Sequence, residues 1–225
     1  MRLRSIGAAG AVLLCSTVAA AQAYLAPLSN GYGPFDYSDP LMRATKLEVV
    51  HKYHFDEGVR SLQRGMNSSV WADLNYVLRA FPNHHEALEA MARLLRLRDK
   101  PMSRALYDAR YRGMPPEVES RAYFEHAMRF APHDGVVRLL YGIDLHLAGE
   151  PEAAAARYLE ARELGVDSAD LWYNLGLARL ALGDGEGALA AARRAYALGH
   201  PLPGLRRKLA RAGLWPAATA GTGDD

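Results

Sequence analysis

The run His51-Lys52-Tyr53-His54-Phe55-Asp56-Glu57 packs two imidazoles and two carboxylates into one short stretch. On a helix His51 and His54 share a face, a spacing at which two imidazoles can hold one metal ion, and Asp56 could complete a hydrolytic or metal-dependent set. The competing reading is a helix boundary, with Asp56 or Glu57 opening the next helix, where acids suit the positive N-terminal end, and the histidines at its surface. No second ligand pair stands at a matching distance, so the boundary is the expectation and neither metal nor cofactor is. His84 and His85 follow Asn83, which reads as an N-cap, and are expected exposed in a first helical turn. His126 and His146 are single histidines on helices.

Other chemistries lack their residues. There is no glycine-rich phosphate loop, no serine elbow and no HExxH motif. The single cysteine, Cys15, lies in the N-terminal apolar run, so beyond that run there is neither a disulfide nor thiol chemistry. The expectation is a protein that is not an enzyme.

The elements that would position any site repeat. Aligning residues 135–168 with 169–202, at an offset of 34, superimposes Gly142 on Gly176, Gly149 on Gly183, Ala154 on Ala188 and Ala161 on Ala195. Trp172, Leu175, Gly176 and Arg179 stand at i, i+3, i+4 and i+7, one face of a helix. Small residues at Gly176 and Ala188 let two helices of a hairpin approach closely, and Gly149 and Gly183 end the first helix of each pair. Pro151 stands early in the following helix, where its missing N–H does no harm. Tyr158 supplies the aromatic of the earlier pair.

This period, with Trp172-x-x-Leu175-Gly176, Gly183-Asp184, Ala188 and Ala195, resembles the tetratricopeptide repeat. The sequence departs from that pattern at Arg138, Arg179, Ala192 and His200. The resemblance implies an all-α fold, a right-handed solenoid of about four helix pairs (51–83, 84–134, 135–168 and 169–201) with a C-terminal capping helix. Pro82 and Pro132 fall at unit ends 50 residues apart, which leaves 16 extra residues around 97–116, between a helix at 83–96 and one at 117–130. In the first of these helices Leu88, Met91 and Leu95 are expected to face inward. The first unit is the most degenerate, with Gly58, Gly65 and Leu74 keeping the frame. In this family the first helices line a concave groove. By frame that implies Val136, Leu139, Ile143 and His146, then Asp170, Tyr173, Asn174 and Leu177, as a surface for a protein or peptide. The Lys and Arg partners of a carboxylate clamp are missing.

Two flanks complete the chain. Residues 24–50 read as an extended strap and lead-in, with Tyr32, Phe35 and Tyr37 alternating, and the strap is itself a candidate occupant of the apolar groove. Residues 202–215 read as the terminal helix, Leu205, Leu209 and Leu214 inward and Arg206, Arg207, Lys208 and Arg211 on a solvated outer face. Residues 216–225 are expected to be disordered. Ahead of the strap, Arg2 and Arg4, the apolar run and Ala21-Gln22-Ala23 form a signal peptide cleaved after Ala23, hence a periplasmic or secreted protein. An N-terminal membrane or lipid anchor is the alternative, although Leu14 before Cys15 does not suit a lipoprotein signal. Cleavage removes two arginines and no acid, taking the formal charge of +2 to zero. A neutral exported chain argues against a nucleic-acid partner, and no later stretch is long enough to span a membrane. The sequence therefore predicts a binding scaffold or adaptor of the cell envelope. An accessory factor in surface-polysaccharide or lipoprotein assembly, and a hydrolase or metal-dependent enzyme using His51, His54 and Asp56, are the alternatives.

Overall fold

The computed structural model describes residues 24–216. The signal segment and most of the expected disordered tail lie outside them. Among the described residues the regular elements are helices, without a strand: α1 (Pro40–His54), α2 (Glu57–Arg60), α3 (Val70–Ala80), α4 (His85–Arg96), α5 (Arg104–Tyr111), α6 (Ser120–Phe130), α7 (Gly135–Leu147), α8 (Pro151–Glu163), α9 (Ala169–Ala181), α10 (Gly185–Ala197) and α11 (Gly204–Arg211). No helix among these residues is long and apolar enough to cross a membrane. The chain divides into two compact units, one ending at Pro132 and the other beginning at His133.

The second unit follows from its punctuation. Asp134 Oδ1 accepts from Val136 N at 3.0 Å and starts α7; Ser168 Oγ accepts from Leu171 N at 3.2 Å and starts α9. Both helices end on a glycine in the left-handed region, Gly149 at φ +86° and Gly183 at φ +79°, which a side chain would strain. α7 packs on α8, α9 on α10, and α8 on α9. The two glycines inside the first helices set how near the hairpin partners come. A Cβ on Gly142 would stand 2.4 Å from the Tyr158 ring, and one on Gly176 would stand 2.6 Å from Leu205 and 3.4 Å from Ala191. Ala154, Tyr158 and Ala161 of α8, and Ala188, Ala191, Ala192 and Ala195 of α10, are buried behind them.

The terminal helix is shorter than expected. It runs from Gly204 to Arg211, because Pro201 and Pro203 delay its start and Gly213, at φ +72°, closes it. Leu205 and Leu209 are fully buried against α9 and α10, whereas Leu214 is about a third exposed. The same offset of 34 that relates the hairpins also carries Val137 to Leu171 to Leu205, and Tyr141 to Leu175 to Leu209, all buried. α11 thus keeps the register of a first helix, a signal overlooked when it is read only as a cap.

The first unit departs more from expectation. The lead-in after the strap is helical: Asp39 caps α1 by accepting from Leu41 N at 2.8 Å, with Pro40 as first residue. α1 gave little periodic signal because Val50 is its only buried residue. The stretch 51–83 is consequently not a hairpin of its own, and the partner of α3 is α1. α4 packs on α6, and the segment between them carries α5, which packs on α3 and sends Tyr111 into the interior to donate to Leu94 O at 2.8 Å. Leu94, not Leu95, is the buried residue after Leu88 and Met91. The strap docks on its own unit: Phe35 N donates to Ala80 O and Tyr37 N to Asn83 Oδ1, both at 2.8 Å, while the Phe35 ring lies 5.4 Å from Phe81. These contacts belong to the end of α3 and the start of α4, not to the Val136–His146 face that the sequence offered it.

Candidate functional site

In the second unit, the first-helix face presents its residues unevenly. Leu139 is buried, Ile143 and His146 are half-buried, and Leu147, one residue on, is 59% exposed. His146 has its Nδ1 buried without a hydrogen-bond partner, and burial together with the Lys208 ammonium lowers its pKa. On α9, Asp170 is exposed and the Asn174 side chain donates back to the Asp170 carbonyl at 2.9 Å. Tyr173 stacks on His200 with centroids 3.8 Å apart, and Leu177 packs with Ala188, Ala192, Leu205 and Leu209. Tyr173 and Leu177 therefore help to seat the terminal segment while staying partly exposed. His200 Nδ1 accepts from Leu202 N at 3.3 Å, so its Nε2–H faces Asp170 Oδ1 at 3.4 Å. Sequence marked His200 only as a departure from proline. Its role in joining Tyr173 and Asp170 needed the fold. Trp172 is half-buried, with its indole N–H on Asp167, which Arg194 also holds.

In the first unit, the His51-to-Glu57 run is taken apart by its neighbours. Asp56 caps α2, accepting from Val59 N at 2.9 Å, and pairs with Arg64 at 2.8 Å. His51 Nε2 lies 2.8 Å from His84 Nε2, and His54 Nδ1 lies 2.8 Å from Asp73 Oδ1. The supposed set of three thus engages three different partners. Among the described residues no three His, Cys, Asp or Glu side chains converge as metal ligands.

His84 is the larger correction. It is fully buried, and it, not Asn83, is the N-cap of α4: its Nδ1 accepts from Ala87 N at 3.2 Å. The acceptor role of Nδ1 puts the ring proton on Nε2, which donates to His51 Nε2. Both rings must then be neutral. Burial lowers both pKa values. For His84 the neighbouring His51, His85 and Arg60 add to it, and for His51 Arg60 does. Tyr37 and Phe55 close the remaining sides of His84, with ring centroids 4.3 and 5.0 Å away. With folded-state pKa values below that of free imidazole, the unfolded chain binds protons more readily. Stability from the pair should be complete above about pH 6.5 and fall as pH drops below it, by up to about 1.4 kcal/mol per pH unit for each proton. Thermal unfolding between pH 8 and 5 checks this. His84→Asn, which keeps a capping oxygen, should flatten the dependence, and an equal slope in that variant would contradict it.

His54 and Asp73 form the better-built constellation. Asp73 is 1% exposed, and its Oδ2 accepts from Met66 N at 2.7 Å and Asn67 N at 3.2 Å. Burial opposes its ionisation, but the bonds from His54, Met66 and Asn67 prevail and hold the carboxyl below the ordinary range. A carboxylate only accepts, so His54 carries a proton on Nδ1, and in the neutral ring Nε2 is left as an acceptor. The ring stacks on Tyr76, with centroids 3.7 Å apart, and lines a pocket of about 240 Å³ with Asn30, Tyr32, Val49, Val50, Tyr53 and Tyr76. Sequence reasoning had no route to Asp73 as the partner, nineteen residues away, since that pairing exists only once α1 lies on α3. No protein-family model matches this chain, and no curated protein is similar to it.

Proposed function

We propose that this chain is a non-enzymatic scaffold of the cell envelope, a right-handed tetratricopeptide-like solenoid that holds a protein or peptide segment on the first-helix face of its second unit. One observation carries the reading: the 34-residue offset recurs in burial as well as in sequence, through Val137, Leu171 and Leu205. Three successive helices, α7, α9 and α11, therefore share one register. Beside that register stands a looser ladder, with Ile143, His146 and Leu147 on α7, Asp170 and Asn174 on α9, and Arg207, Lys208 and Arg211 on α11. In it only Asn174 to Lys208 and Ile143 to Arg211 keep the repeat offset or twice it. A solenoid presents such ladders as extended binding surfaces. The α7 end offers half-buried and exposed apolar side chains, and the α11 end offers exposed cations. A segment with an apolar anchor and an acidic flank has the matching chemistry.

A photo-crosslinking residue placed at Leu147 of the full chain, in the cells that make it, should give a discrete adduct. Leu147 is exposed, so Asp there leaves folding intact. Leu147→Asp together with Lys208→Glu should weaken capture of that adduct's partner by tenfold or more at an unchanged melting temperature. Capture by that double variant equal to wild type would overturn the reading.

A further inference from the structure

The pocket beside His54 belongs to the strap, α1 and α3, and does not depend on the reading above. We propose that it binds a neutral, polyhydroxylated ring of monosaccharide size. The hydrogen-bonding groups at its walls are already assigned by their other partners. In the neutral His54 ring Nε2 is an acceptor, because Nδ1–H is held by Asp73. Tyr32 donates its hydroxyl proton to Lys46 O at 2.6 Å, so its oxygen accepts. Tyr76 Oη accepts from Asn30 Nδ2 at 3.2 Å, so its O–H is left to donate. Two acceptors and a donor around one cavity suit a ligand whose hydroxyls both give and take.

The remaining wall is aromatic and aliphatic. The Tyr53 ring is half exposed, and Val49 and Val50 lie on the same helix. Rings of this kind offer area for the C–H face of a saturated ring at low entropic cost. None of the lining side chains carries a fixed charge, which favours a neutral ligand over a phosphate or carboxylate. At about 240 Å³ the cavity is smaller than the ~300 Å³ and above typical of drug-sized sites, so one ring fits and an oligomer would extend past Tyr53.

The test titrates the full chain with glucose, galactose, mannose and N-acetylglucosamine, and with phenol as the flat aromatic comparator, reading the histidine side-chain resonances. At least one sugar should shift His54 saturably and leave His146 unmoved. Tyr53→Ala, at an exposed position that folding does not need, should weaken that binding by tenfold or more. No saturable shift with any of the four sugars at 50 mM overturns the proposal. So does binding of phenol alone, or sugar binding that Tyr53→Ala leaves unchanged.

Discussion

Gly142→Leu should destabilise the second unit by about 3 kcal/mol or more, the upper part of what overpacking costs in a closed interior. Even the first added atom has no room, since a Cβ there would lie 2.4 and 2.7 Å from two carbons of the Tyr158 ring. That ring is fully buried at the centre of α8 and cannot swing outward without opening the hairpin. For a unit of this size the change corresponds to a melting temperature lower by roughly 12–24 °C. Gly176→Leu should cost less, about 1–3 kcal/mol, because the atom it meets first is the tip of the Leu205 side chain. The repeat itself supplies the control. At the offset of 34, Tyr158 corresponds to Ala192, and a Cβ on Gly176 would meet Leu205, the Ala188 carbonyl and Ala191 with no aromatic ring among them. The loss caused by Gly142→Ala should therefore largely disappear in a Tyr158→Ala background, whereas two independent losses would simply add. Additive melting shifts across that cycle would mean that Gly142 and Tyr158 do not meet.

The same contrast explains what sequence could reveal. The second unit was legible because its constraints are local and periodic. A small residue inside the first helix, a capping Asp or Ser, and a left-handed glycine each act locally, and each recurs 34 residues on. The first unit was legible only where it keeps that logic, in α4, α6 and the segment between them. Its α1 buries almost nothing, so no apolar stripe announced it, and only Asp39-Pro40 marked where it starts. His84 was misplaced for a related reason. Asn83 has the better capping side chain, but the strap takes it, accepting from Tyr37 N and donating to Asp36, and the histidine next to it caps instead. A preference for one residue type at a helix start is a prior, and a tertiary bond to that side chain removes it. The groove shows the same limit. Tyr173 and Leu177 occupy the positions that the repeat frame gives to a ligand, yet the terminal segment, which keeps that frame, packs against part of both.

Asp73→Ala should cost the first unit about 3–5 kcal/mol, because it deletes a buried carboxylate together with every hydrogen bond made to it. One carboxylate there satisfies three donors: Met66 N–H, Asn67 N–H and the His54 ring. Residues 61–69 contain no helix: the N–H groups of Ser61 to Arg64 donate back to α2 carbonyls, and those of Met66 and Asn67 donate to Asp73. Each hydrogen bond to a charged group contributes about 1.5–3 kcal/mol, and the orphaned N–H groups near Asp73 would keep their desolvation cost. Asp73→Asn should fall between wild type and alanine, because an amide has one accepting oxygen for a site that uses two. His54→Ala removes one of the three donors and should cost less than Asp73→Ala, with the double variant close to Asp73→Ala alone. That ordering follows because His54 acts on the loop through Asp73, whereas Met66 and Asn67 reach it without the histidine. Denaturant midpoints across wild type and the four variants measure the order, and amide exchange at Met66 and Asn67 locates it. A loss below about 1 kcal/mol for Asp73→Ala, or unchanged protection of those two amides, would show that the loop is held elsewhere. The tautomer assigned to His54 would lose its basis with it.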